Sequence, residues 1–115
     1  MEATESTRQL KVAREIQKDL AEILRSRGMA FFGGAMVSVS GVKISSDFSA
    51  AKVYISIYPS SKKDNVMQII SENGKAIRGE LGAKIGTQIR IVPNLTYFVD
   101  DSLDYVEHIE ELLKK

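Results

Sequence analysis

A chain of 115 residues with 43% apolar and 27% charged side chains has the length and composition of one globular domain, enough to bury roughly two thirds of its surface. It holds no cysteine, which excludes disulfide scaffolds, thiolate zinc sites and thiol nucleophiles, and its one histidine, His108, excludes a His-rich metal site or a two-histidine mechanism. The net charge of +1 names no partner by itself.

Met1 to Glu5 has neither the basic start nor the apolar stretch of a signal peptide. These first five residues are expected to be flexible. The first periodic segment runs from about Ser6 to Arg27. Leu10, Ala13, Ile16, Leu20, Ile23 and Leu24 recur at spacings of three and four, the stripe of an amphipathic helix. Thr4, Ser6 or Thr7 can cap its start, and Gly28 ends it. Lys11, Arg14, Lys18 and Arg25 form a second stripe opposite the first, with Glu15, Asp19 and Glu22 beside it. That stripe fits either a solvated face laced with ion pairs or a face turned to phosphates.

Gly28 to Ala35 reads as a loop that tucks Phe31 and Phe32 under the core. The nearly apolar run from Gly28 to Val37 is too short and glycine-rich to span a bilayer. Met36 to Ile44 predicts a strand. Val37 and Val39 share one face and Val42 and Ile44 the other, a phase change that predicts a bulge at Gly41. Ser45 to Ser49 is a turn rich in side chains that bond nearby backbone. Ala51 to Tyr58 predicts a second strand with Val53, Ile55 and Ile57 on one face and Lys52, Tyr54, Ser56 and Tyr58 on the other. The two strands should pair as an antiparallel hairpin, stopped by Pro59.

A second helical region spans about Asp64 to Gly86, with Val66, Ile69, Ile70, Ile77, Leu81 and Ile85 inward. Asn73 and Gly74 near its middle predict a kink. Gln88 to Val92 reads as a strand, interrupted by Pro93 and Asn94 and continued extended from Leu95 to Val99. Leu103 to Leu113 predicts a short amphipathic helix capped by Asp101 or Ser102. The order is helix, two strands, helix, kink, helix, strand, plus that last helix.

Charge is unevenly spread. Residues 28–99 carry eight basic and four acidic side chains, and residues 100–115 carry two basic and six acidic. A basic body with an acidic end is compatible with a polyanion partner. Gly79-Glu80-Leu81-Gly82 spells a G-x-x-G loop, but the helix after it would be too short and Glu80 would repel phosphate. Small residues packed within a helix fit better. Asp100, Asp101 and Asp104 fit helix capping better than a metal site, and one histidine near the end is a poor basis for a catalytic triad. Tyr54 and Tyr58 either stack bases, as strand aromatics do in some RNA binders, or pack under a helix.

This order is that of an α+β domain of the type II KH kind, a three-stranded sheet with helices packed on one face, here over residues 1–115 as a single domain. Five stretches make a closer likeness: Arg14 to Leu24; Val37 to Val42; Ser46 to Tyr54; Ile77-Arg78 with Leu81-Gly82; and Arg90 to Leu95 followed by Asp100 to Leu103. Together they resemble the ribosome-binding factor A family over about residues 7–113. The resemblance implies a cytoplasmic protein, monomeric, not an enzyme and without cofactor. It implies binding to the immature small (30S) ribosomal subunit and help in maturing its 16S rRNA, with a link to cold adaptation and no membrane partner. The chain departs from the family in three places. Asn73-Gly74-Lys75 stands where Ala-x-Gly is usual, the stretch from Gly82 to Pro93 is about two residues longer, and the long charged C-terminal extension of many members is missing.

The resemblance turns the first-helix stripe toward the phosphate reading. The expected RNA-binding residues are Arg8, Lys11, Arg14, Lys18, Lys75, Arg78, Lys84 and Arg90, with Lys43 and Lys52 as outliers; the expected kink residues are Asn73 and Gly74. Each cation would contact phosphate rather than base. A second possibility is a protein-interaction module whose basic surface docks an acidic protein.

Overall fold

In the computed structural model, which describes residues 7–86 and 91–100, helix α1 runs from Thr7 to Phe31. Its main rod ends at Gly28, whose φ of 82° and ψ of 166° suit only a residue without a Cβ. One further turn follows in a new direction and sets Phe32 into the core at 2% exposure. Val12, Ala13, Ile16, Leu20, Ile23 and Leu24 are buried. Leu10 is not; it stays 43% exposed and Val12 takes its expected place. At 100° per residue Leu10 stands about 120° from Ile16, and Val12 only about 40°.

Strand β1, Met36–Ile44, and strand β2, Ala50–Tyr58, form the expected antiparallel hairpin. The register shifts between Val39 and Gly41, leaving Ser40 as the extra residue, and the Ser40 hydroxyl donates to the Tyr54 carbonyl at 3.1 Å. The bulge corrects one expectation. Val39 faces Ile55 and Val42 faces Val53, so Val37, Val39, Val42 and Ile44 all join one face. The extra residue cancels the phase change in the sequence instead of sending two valine-type positions to each side.

The turn between the strands is organised by Asp47. Its Oδ1 accepts from the Ser45 hydroxyl at 2.8 Å, the Ser49 amide at 3.0 Å and the Ser49 hydroxyl at 2.7 Å. These donors, the Ser49 hydroxyl foremost, hold its carboxyl down to about 2, so it is ionised at any physiological pH. Phe48 sits at φ 63° within this turn.

After a 3-10 turn at Ser60–Lys62, helix α2 spans Lys63–Glu72 and helix α3 spans Gly74–Ile85. They break at Asn73, with φ −109° and ψ 15°. Its side chain turns back to donate to the Ile69 carbonyl at 2.8 Å, which also accepts the Asn73 amide at 3.1 Å. Strand β3, Asn94–Val99, pairs parallel with β2, giving the order β1-β2-β3. Ile91 and Val92 are not in a strand, contrary to the expected strand at 88–92. Pairing starts only after Pro93, which has no amide hydrogen to give a ladder; the Asn94 amide then donates to the Ser49 carbonyl at 3.0 Å. Gln88 to Arg90, the helix expected at Leu103–Leu113 with His108, and the caps at Thr4, Ser6 and Asp101 lie outside the described residues.

The core is one layer of helix side chains on one face of the sheet. Ile16, Leu20, Val53, Ile55, Ile77, Leu81 and Ile85 are fully buried there. The other face carries Lys43, Lys52, Tyr54, Ser56 and Phe98, residues that alternate with the core positions along each strand.

Candidate nucleic-acid interface

Because one side of α1 is sealed against the sheet, the opposite side is committed to solvent. Lys11, Arg14, Lys18 and Arg25 are all exposed there. Among the described residues Lys11, Arg14 and Arg25 have no ion-pair partner. Lys18 approaches Glu15 at 4.0 Å with 68% of its side chain exposed, a pair that neutralises little of its field. The result is a straight cationic rail about 20 Å long from Lys11 to Arg25.

Two side chains show how α1 lies on the sheet. Gln9 donates to the Ile44 carbonyl at 3.3 Å, and Gln17 makes a long bond to the Val39 carbonyl at 3.5 Å. The helix therefore runs antiparallel to β1, and its first turns sit above the hairpin turn. Arg8 lies 5.2 Å from the Phe48 ring centre, a cation–π contact that ties it to that turn. Lys43 and Lys52 stand directly opposite each other near the same end of the hairpin. They are thus neighbours of the Arg8–Lys11 end, on the other face of the sheet.

The cations of α3 are placed differently. Lys84 pairs with Glu22 at 3.1 Å, and Glu80 pairs with Arg27. Both helices therefore cross antiparallel, and Lys75, at the start of α3, lies beyond the far end of α1 from Lys11. The structure does not join Lys75 to the rail's start. Arg78 donates Nε to the Pro93 carbonyl at 3.0 Å and Nη2 to the Val92 carbonyl; it anchors the segment entering β3. Lys84 is exposed but compensated by Glu22. Arg90 lies outside the described residues. Gly79 and Gly82 sit inside α3, and a Cβ on Gly82 would come within 3.0 Å of the Val92 side chain. Gly82 serves close packing, as expected, whereas Gly79 faces open space; the pair forms no loop.

One residue was missed. Asp19 is only 6% exposed, and its Oδ2 is a buried atom with no hydrogen-bond partner. Burial first, then the neighbouring Glu15, push its carboxyl above the usual range, against the pull of Lys18 and Lys84. The helical angle carried the signal: Asp19 stands about 60° from Ile16, on the buried side. An acid whose folded pKa is raised weakens the fold while ionised, and that cost fades as pH falls through the folded value. Asp19→Asn is therefore expected to stabilise the protein at pH 7 by about 1 kcal/mol. Thermal melts should show the gap to the parent chain closing as pH is lowered; a variant less stable at pH 7 would show the charge to be compensated.

A bulged hairpin with a parallel third strand, helices on one face only and a cationic helix outermost make this a type II KH-like α+β domain. The family model described as Ribosome-binding factor A matches residues 8–113. A Flavobacterium johnsoniae protein named Ribosome-binding factor A is 42% identical over 113 residues, covering 95% of this chain and 85% of that protein. One from Cytophaga hutchinsonii is 38% identical over 111 residues, covering 96% and 84%. The chain belongs to the ribosome-binding factor A family. Its fold is similar to the crystal structure of ribosome-binding factor A from Thermus thermophilus, with a TM-score of 0.68 at 16% identity over 79% of this chain and 94% of that one. It is also similar to a Thermus thermophilus homology model fitted into the cryo-EM map of that protein's complex with 30S, with a TM-score of 0.63 at 17% identity over 77% and 91%.

Proposed function

We propose that this chain, acting as one KH-like domain and as a monomer in the cytoplasm, binds the immature small ribosomal subunit and assists maturation of its 16S rRNA without a catalytic step or cofactor. The observation that carries the reading is the rail of Lys11, Arg14 and Lys18, exposed along a helix whose other side is sealed in the core. Membership in a family named for ribosome binding supports the choice of partner, and the 30S complex of the Thermus protein supports the choice of subunit. A rail of point charges on a rigid rod suits the regular phosphates of folded RNA and reads shape more than sequence. Help to an RNA slow to leave misfolded states would matter most in the cold.

Co-sedimentation with purified small subunits across 50–200 mM salt tests this, with polyglutamate as the competing acidic partner. Retention by subunits that falls steeply with salt, through counterion release, is the expected result. Retention by polyglutamate alone would favour docking to an acidic protein instead.

A further inference from the structure

The sheet face turned away from the helices carries its own chemistry. Tyr54 and Phe98 stack across β2 and β3 with ring centres 5.6 Å apart and planes at 27°. Phe98 remains 40% exposed, and Tyr58 and Met36, opposite each other across the hairpin, remain 48% and 59% exposed. Two residues along β2 from Tyr54, or about 7 Å, Lys52 stands directly opposite Lys43. Like charges in that position destabilise a sheet, and neither lysine has an ion-pair partner among the described residues. A shallow hollow of about 310 Å³ lies between them, lined by Lys43, Ile44, Ser45, Ala50 and Lys52. Ser56 and Thr96 add hydroxyl-bearing side chains to the same face.

We propose that this open face binds single-stranded RNA, one base stacking on the Tyr54–Phe98 platform and the neighbouring phosphate held in the hollow between Lys43 and Lys52. A half-exposed aromatic pair beside an uncompensated cation pair is what a nucleotide, with a flat apolar base and a charged phosphate, is built to fill. An acidic protein would satisfy the lysines and leave the rings unused. The choice of RNA rests on the reading above; the base contact and the single strand go beyond it. The α1 rail points away from this face, so the domain has two RNA surfaces, one for phosphates of folded RNA and one for a flanking single strand.

The test titrates the full chain with octauridine and with a duplex RNA of equal length, following the ring signals of Tyr54 and Phe98 by NMR and affinity by fluorescence anisotropy. Octauridine should shift both rings, and the duplex should not. Phe98→Leu is expected to weaken octauridine about ten-fold. The exposed pair change Lys43→Gln with Lys52→Gln, which leaves the core untouched, should lower its salt slope by about 1.4 units. Unmoved rings, or octauridine affinity unchanged in both variants, would overturn the proposal. So would ring contacts to Leu103, Val106 or Ile109 that persist at saturating octauridine, since the chain's own end would then own the face. Subunit binding with silent rings would sink this site and leave the assembly reading standing; shifted rings without subunit binding would do the reverse.

Discussion

Changing Lys11, Arg14 and Lys18 together to glutamine is expected to flatten the salt dependence of small-subunit binding by up to about three units in log K against log salt. Each cation that neutralises one phosphate releases about one counterion, and the three are exposed on one rigid helix face. A difference of that size makes the affinity ratio between parent and variant shrink by about 60-fold from 50 to 200 mM salt. The long, solvated pair of Lys18 with Glu15 takes little from its charge, so the three cations should share the loss. The side chains touch nothing in the core, and the thermal midpoint should move by no more than a surface change allows, about 0.5 kcal/mol. Isotherms at four salt concentrations decide the matter. If affinity and slope both match the parent, the helix face is only a solvated surface.

Leu20→Ala should produce the largest loss of stability, about 2–5 kcal/mol, against a total of about 5–15 kcal/mol for a domain of this kind. Leu20 is fully buried in the same core cluster as Ile16, Ile23, Val53 and Leu81. Deleting its branched end removes apolar contact and leaves a cavity that a packed layer of helix on sheet cannot close. At about 4–8 °C for each kcal/mol, the midpoint should fall by roughly 10–20 °C or more. Leu10→Ala is the internal control: on the same helix but 43% exposed, it should cost well under 1 kcal/mol. Equal melts for the two variants would mean that the helix packs through a different face.

Several elements could be read from the chain because their causes are local. The period of three and four in residues 13–24 needs only the helix's own geometry. The valine phase change around Gly41 announces a bulge, although only the pairing of Val42 with Val53 shows that the bulge restores one core face. Asn73 and Gly74 mark the break between α2 and α3 because poor helix formers act where they stand. The same locality misled at residues 91 and 92, where apolar alternation suggested a strand. A strand exists only where a partner accepts it, and β2 offers its edge from Asn94 onward.

The rail was legible in the chain alone, since one sealed helix face commits the opposite one to water whatever the helix packs on. Which cations are free depends on how distant elements pack. Arg78 looks like any surface arginine until the Val92 and Pro93 carbonyls close on it, and Lys84 until α3 crosses α1 beside Glu22. Lys43 and Lys52 looked like outliers until the hairpin register set them face to face. Tyr54 had no visible partner until β3 joined β2 in parallel and brought Phe98, 44 positions away, onto its ring. Periodicity records what a segment buries, whereas partnership depends on which distant segment the burial brings alongside, and no window of a few residues contains that second segment.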